Sequence, residues 1–149
     1  MISVSRFTTS AQEIAQQAAG IMQRYGDHQV DTEHVLLALL EQPGGISQLL
    51  EFLEVDPNAL SEGLDAILCA SPGGEIVELG PGQVSITPRV AHIIELADED
   101  ARRRNDELIS TEHMFLGILH EQDTSSARLL QEAGLTYDRV SEAIRQRRG

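Results

Sequence analysis

The residues with the greatest chemical potential in this chain occur twice, as Thr32-Glu33-His34 and as Thr111-Glu112-His113. A histidine beside a carboxylate can ligate a metal, and His120-Glu121 has the first two residues of the helical zinc-protease motif. That motif needs a second histidine at position 124, where the chain has a threonine, so the match fails. Each triplet histidine falls at the third position of a helix capped by Asp31 or Ser110, where an imidazole can cap or pack. The metal reading is therefore set aside. Hydrolytic chemistry fares no better. There is no Gly-x-Ser-x-Gly elbow, and the lone serines Ser61 and Ser141 lie on helix faces. The run Asp98-Glu99-Asp100 fans around a helix and is expected to form a solvated face, with Arg102-Arg103-Arg104 matching the negative end of that helix. Cys69 is expected to be a small, partly buried residue at a helix end. No catalytic residue, no metal ligand and no cofactor is assigned.

The same residues also admit a binding role. A helix N-terminus offers unpaired N–H groups and positive potential, so Thr8 and Thr87, each opening a helix, mark two anion positions. Glu33 and Glu112 lie in first turns, and a carboxylate there can receive a guanidinium through two parallel hydrogen bonds. Together the two groups could hold a ligand that carries both a guanidinium and a phosphate. Helix capping by threonine and dipole compensation by glutamate explain the same residues without any ligand.

Composition narrows the classes further. The 149 residues carry 11 basic and 24 acidic side chains, a net charge of −13, and every basic one is arginine. The absence of lysine excludes a Walker-type phosphate loop and a Schiff base, and Gly73, Gly74, Gly80 and Gly82 lack the strand–helix context as well. Three Phe, two Tyr and no Trp in so acidic a chain argue against nucleic acid or an anionic membrane as partner. A single cysteine cannot form an internal disulfide, which fits a reducing compartment. The first residues contain no long apolar run of a signal peptide or membrane span. A cytoplasmic, soluble protein is expected.

The elements that position these residues come from a duplication. A shift of 79 aligns Thr8 with Thr87, Ala18 with Ala97, Arg24 with Arg103, and the two Thr-Glu-His triplets. After one inserted residue, Leu49-Leu50 aligns with Leu129-Leu130 and Ser61-Glu62 with Ser141-Glu142. Apolar residues at spacings of three and four predict first helices after Thr8 and Thr87, the latter with proline at its first position. Asp31 and Ser110 cap second helices running to about Gln42 and Glu121. Third helices follow near 46–54 and 125–133, and fourth helices open at Asp56-Pro57 and Thr136 and end near Cys69 and Arg147. Only residues 75–79 could pair weakly as a strand. The expected fold is all-α, a single domain over 1–149. Two tandem four-helix repeats, 7–69 and 86–148, are related by an approximate twofold and joined by a Pro/Gly-rich loop, 70–85.

This pattern resembles the double-repeat N-terminal domain of Clp/Hsp100 proteins over residues 6–148. The resemblance is carried by Phe7-Thr8 before an amphipathic helix, the two Thr-Glu-His turns, Ile86-Thr87-Pro88-Arg89, and the apolar runs 35–40 and 114–119. The triplet in both halves is most similar to the ClpC type, while the longer linker and the ending 143–149 are similar to ClpB. The resemblance implies a substrate- and adaptor-docking module of an ATP-driven unfoldase or disaggregase. Its partners would be protein substrates, adaptors and a Clp ATPase ring in the same chain or in another. In ClpC-like domains the matching Thr and Glu positions bind phosphoarginine, which carries over here as Thr8 with Glu33 and Thr87 with Glu112. Two departures stand out. Ser10 replaces an arginine that Arg89 keeps in the second half, and around Arg104-Asn105 the glycine usual before the second triplet is missing. The two positions are therefore expected to differ in affinity, or one of them to be lost. Two other roles fit the resemblance: a ClpB-like binder that holds aggregated polypeptide in a groove between helices without phosphoarginine dependence, and a free-standing accessory regulator of a Clp protease.

Overall fold

A threonine cap followed by a periodic apolar stripe makes the first helix, and the chain repeats the device 79 residues later. The computed structural model describes residues 4–43, 45–70, 86–121 and 123–148. Helix α1 (Thr9–Arg24) buries Ala11, Ile14, Ala18, Ile21 and Met22, and the Thr8 hydroxyl oxygen accepts the Ala11 N–H at 3.1 Å. Helix α5 (Pro88–Arg103) buries Val90, Ile93, Ala97 and Ala101 behind the Thr87 cap, which accepts the Val90 N–H at 3.3 Å. Both helices end in the same 6→1 hydrogen-bonded turn. Gly26, at φ +72°, closes α1, with the Asp27 N–H donating to the Met22 carbonyl at 3.0 Å. In α5 the left-handed position is Asn105, at φ +60°, and the Asp106 N–H reaches the Ala101 carbonyl at 2.8 Å. Asparagine is among the few residues besides glycine that visit this region readily. The turn therefore survives the missing glycine.

Helices α2 (Thr32–Glu41) and α6 (Thr111–His120) are the pillars. Every residue of 34–40 and 113–119 is buried, as expected for a helix that is apolar on all sides. Around them lie α3 (Ile46–Phe52), α4 (Pro57–Ala70), α7 (Ser125–Glu132) and α8 (Tyr137–Arg148). α4 packs on α2 and reaches across to α7, while α8 packs on α6 and reaches across to α3. At this seam the Thr32 and Ser126 hydroxyls meet at 3.0 Å in the interior.

The two halves are joined by exchange. Phe7 bridges to Ile109, and the residues 79 positions away swap roles, Ile86 bridging to Val30. The Thr8 N–H donates to the Ile109 carbonyl and the Thr87 N–H to the Val30 carbonyl, each at 3.0 Å. Reciprocal pairing of this kind is the signature of a pseudo-twofold axis. The fold is thus all-α, two four-helix repeats in tandem, and the described residues contain no β-strand.

Three local expectations change. Asp100 is buried, 3% exposed, because it lies three residues beyond Ala97 on the inward stripe of α5. There it accepts from Tyr137 Oη and from Arg104 Nε at 2.9 Å, so only Glu99 of the acidic run faces solvent fully. Cys69 is exposed, since the buried stripe of α4 is Leu60, Leu64 and Leu68, and the next residue turns about 100° away. Ala70 belongs to α4. The remainder of the expected linker, 71–85, including 75–79, lies outside the described residues.

Candidate functional site

The triplet histidines are structural. His34 Nδ1 accepts the Asp31 N–H at 2.8 Å, and its Nε2 pairs with Asp27 Oδ2 at 2.7 Å. His113 makes the same bonds to the Ser110 N–H, at 2.8 Å, and to Asp106 Oδ2, at 2.7 Å. Because Nδ1 accepts a backbone N–H, the donated proton sits on Nε2. Each histidine closes a capping box in the place where glutamate or glutamine usually stands. Both ring nitrogens are engaged in starting α2 and α6.

Helix direction decides how the threonines and glutamates meet. The turn between α1 and α2 is short, so α2 runs back along α1 and its C-terminal end lies beside the start of α1. Gln42 Nε2 donates to the Ser10 carbonyl at 3.2 Å. Glu33 is nine residues from Gln42, or ~13 Å at a helical rise of about 1.5 Å per residue. In the second half His92 Nε2 meets Glu121 Oε1 at 3.1 Å, so the end of α6 likewise lies beside the early part of α5, and Glu112 is nine residues back along α6, ~13 Å from that end. The pairs expected within each half, Thr8 with Glu33 and Thr87 with Glu112, are therefore far apart. The pseudo-twofold brings together the exchanged pairs, Thr87 with the 30–33 turn and Thr8 with the 109–112 turn.

At the first of these ends the side chains interlock. Thr87 Oγ1 donates to Asp31 Oδ1 at 3.1 Å, and Arg89 grips the same carboxylate with Nε on Oδ1 at 3.1 Å and Nη2 on Oδ2 at 2.5 Å. Burial pushes the Asp31 carboxyl up, but the Arg89 and Thr32 N–H bonds, the Arg89 charge and Thr87 outweigh it and hold the group below its ordinary 3.8. Glu33, half-buried in the next turn, is pushed above its ordinary 4.5, first by burial and also by the Asp31 charge, against its own N–H, His34 and Arg89. A partly desolvated carboxylate beside a guanidinium is the environment in which charge-assisted bonds are strong.

The second end carries different groups. Ser10 is exposed and Ser110 half-buried where the first end has Arg89 and Asp31. Glu112 lines an open cavity of about 290 Å³ together with Gly45, Ser110, Thr111 and Arg147. Arg147 comes from α8, and its nearness to Glu112 has no sequence signal short of the fold itself.

Between the two ends runs a larger feature. An apolar groove of about 480 Å³ opens between α1 and α5. Its floor and walls are matched across the pseudo-twofold: Ile14 with Ile93, Ala15 with Ile94, and Val35 with Met114. Ile86, 43% exposed, stands at its rim, and Gln16 is its one polar side chain. Sequence reasoning allowed for a groove between helices without naming its residues. The available signal was Ile94 and Ala15, apolar residues beside an already complete inward stripe.

The class of fold is thus an all-α double repeat whose halves exchange their pre-helix turns, with an apolar groove between α1 and α5. The chain belongs to the Clp repeat (R) N-terminal domain family, which it matches over residues 6–133. It is 30% identical over 150 residues to the chaperone protein ClpB of Nitratidesulfovibrio vulgaris, covering 99% of this chain and 17% of that one. It is 28% identical over 142 residues to the negative regulator of genetic competence ClpC/MecB of Bacillus subtilis, covering 95% of this chain and 17% of that one. The chain thus spans 17% of the length of either curated relative. The Hsp104 N-terminal domain from Candida albicans shares the fold, with a TM-score of 0.77, 19% identity, and coverage of 95% of this chain and 91% of that one. Among the described residues no helix is long and apolar enough to cross a membrane.

Proposed function

We propose that this chain is the substrate- and adaptor-docking N-terminal module of a Clp/Hsp100 unfoldase or disaggregase, holding an apolar segment of its client in the α1–α5 groove. ATP hydrolysis belongs to a ring formed by further domains of the same polypeptide or by a partner. The observation that carries this reading is the groove itself, apolar, open and lined from both repeats. Its volume falls within the range of small ligand clefts, and its shape suits a short run of apolar side chains. Each such side chain transferred from water contributes about 1.5–3 kcal/mol, against an association cost of roughly 4 kcal/mol or more. A single module therefore binds weakly, and several modules on one ring supply the avidity. A ClpV N-domain of this fold (TM-score 0.69, 15% identity, 90% of this chain and 81% of that one) is known in complex with a VipB peptide. The test is fluorescence anisotropy with a labelled, permanently unfolded polypeptide. Ala15→Arg, at an exposed position on the groove wall, should weaken binding about tenfold or more while leaving the helical circular dichroism intact. Equal affinity in wild type and variant overturns the reading.

A second, narrower reading adds phosphoarginine as the mark on the client. It is favoured by the approach of Thr87 to the Glu33 turn and of Thr8 to the Glu112 turn. The phosphate would lie at the start of α5 or α1 and the guanidinium against the glutamate. Calorimetry should show heat with free phosphoarginine and none with arginine, and Glu33→Ala combined with Glu112→Ala should abolish it. Absence of heat in wild type, or unchanged heat in the double variant, removes this reading and leaves the docking role standing.

A further inference from the structure

Three matched pairs of the groove straddle the pseudo-twofold, but the rest of its lining is one-sided. Ala19, Val30 and Ile86 line it, whereas Asp98, Ile109 and Phe7, each 79 residues away, do not. The groove thus extends toward the Val30–Ile86 bridge, and the pseudo-twofold calls for an equivalent seat at the Phe7–Ile109 bridge. There the chain covers itself. Arg6 Nη2 donates to Asp98 Oδ1 at 2.6 Å, and Arg6 Nη1 donates to the Glu107 carbonyl. The Arg6 carbonyl accepts the Ile109 N–H at 2.7 Å, and the Phe7 carbonyl accepts Gln12 Nε2 at 3.0 Å. Phe7 is held half-buried against the core, while its counterpart Ile86 stands exposed at the rim of the groove. The open end lacks the residues for such a clamp. In place of Arg6, Asp98 and Gln12 the sequence has Ser85, Ala19 and Ala91, none of which carries a charge or a side-chain amide.

We infer that the groove has a twin, over Ile109 between the first turns of α1 and the second half of α5, which Arg6 bound to Asp98 keeps shut with the chain's own Phe7. Each chain then seats one apolar client segment, at the Val30–Ile86 end. Arg6 and Asp98 are positioning residues, because they act by holding Phe7 rather than by touching the client. Ile94 stands where the open end has Ala15, so the twin, once opened, is the narrower of the two. The inference rests on the docking reading for its ligand, whereas the clamp belongs to the chain alone.

The test is isoleucine-methyl NMR on the full chain during titration with a permanently unfolded polypeptide. Ile86 reports the open groove and Ile109, wholly buried, reports the twin. In wild type Ile86 should respond and Ile109 should stay. Arg6→Ser combined with Asp98→Ala gives the second end the residue types of the first, and Ile109 should then respond as well. Arg6→Ser alone leaves Asp98 paired with Arg102 Nε at 3.1 Å, so it disturbs the fold least and serves if the double variant does not fold. It should give a smaller Ile109 shift. Arg6→Lys, which keeps a cation against Asp98, should leave Ile109 silent. An Ile109 response in wild type, or none in Arg6→Ser and the double variant while Ile86 responds, overturns the inference. Failure of the docking reading is distinguishable, since the polypeptide would then move neither methyl in any protein. The neutral apolar dye Nile red reads the twin without a client. Bound dye should rise from one equivalent in wild type to two in the double variant, and equal stoichiometry in both overturns the inference.

Discussion

Glycine-to-alanine substitution at two helix-interior positions should give opposite signs, and the reason is geometric. At Gly117 in α6 a Cβ would stand 2.8 Å from the Ile93 carbonyl oxygen and 3.1 Å from Ile93 Cγ2 of α5. At Gly20 in α1 it would meet nothing within 4 Å. Helix propensity alone favours alanine by about 0.8–1.0 kcal/mol at either site. At Gly20 that gain is expected nearly whole. At Gly117 the obstruction is a backbone oxygen held within a helix, which cannot swing aside, and overpacking of a buried contact costs about 1–3 kcal/mol. The net expectation is a gain of about 0.5–1 kcal/mol for Gly20→Ala and a loss of up to about 2 kcal/mol for Gly117→Ala. At roughly 2–4 °C per kcal/mol for a chain of this size, the two variants should differ in Tm by several degrees, wild type lying between them. Urea and thermal unfolding followed by circular dichroism measure both. A Gly117→Ala protein as stable as Gly20→Ala would refute the close α5–α6 approach that sets one wall of the groove.

Other outcomes follow from single groups. Glu54 ends α3 at φ +63°, where the pseudo-equivalent residue is Gly134 at φ +84°. Glu54→Gly should relieve about 1 kcal/mol of left-handed strain, seen as a higher urea midpoint at unchanged slope, and a lower midpoint would contradict it. Tyr25 is pushed from 10.0 up to about 12, chiefly by its hydrogen bond to Asp65, with burial and the Asp65 charge adding to it. Since the folded value lies above the unfolded one, this bond stabilises the fold fully below pH 10 and ceases to do so as pH rises to about 12. Ultraviolet absorbance titration of the chain's two tyrosines should show no transition near pH 10 for Tyr25, and Asp65→Asn should bring that transition down.

The duplicated capping residues make the helix plan legible in the sequence. Thr8, Asp31, Thr87 and Ser110 each announce a helix start by local chemistry, and the buried runs of α2 and α6 announce the pillars by lacking a polar face. Longer-range features are less legible. Asp100 reads as part of a solvated run because charge is read residue by residue, whereas its burial depends on Tyr137 arriving from α8 and on Arg104, the residue that caps α5. The resemblance pairs Thr8 with Glu33 and Thr87 with Glu112, and a register of 79 cannot correct it, because internal and exchanged contacts satisfy that register equally. The short turn at 25–31 held the missing clue. Two helices joined so closely run antiparallel, which separates Thr8 from Glu33 by the length of α2. The groove was anonymous in sequence for a similar reason. Its walls come from α1 and α5, one full repeat apart, and only the axis between the halves sets them face to face.

The central claim is that an apolar client segment lies between α1 and α5. Isoleucine-methyl NMR during titration with an unfolded polypeptide tests it most directly, because Ile14, Ile86, Ile93 and Ile94 line the groove while Ile46, Ile118 and Ile144 lie elsewhere in the core. Shifts or broadening confined to the four groove methyls are predicted. Silent groove methyls with responses at the other three would contradict the account.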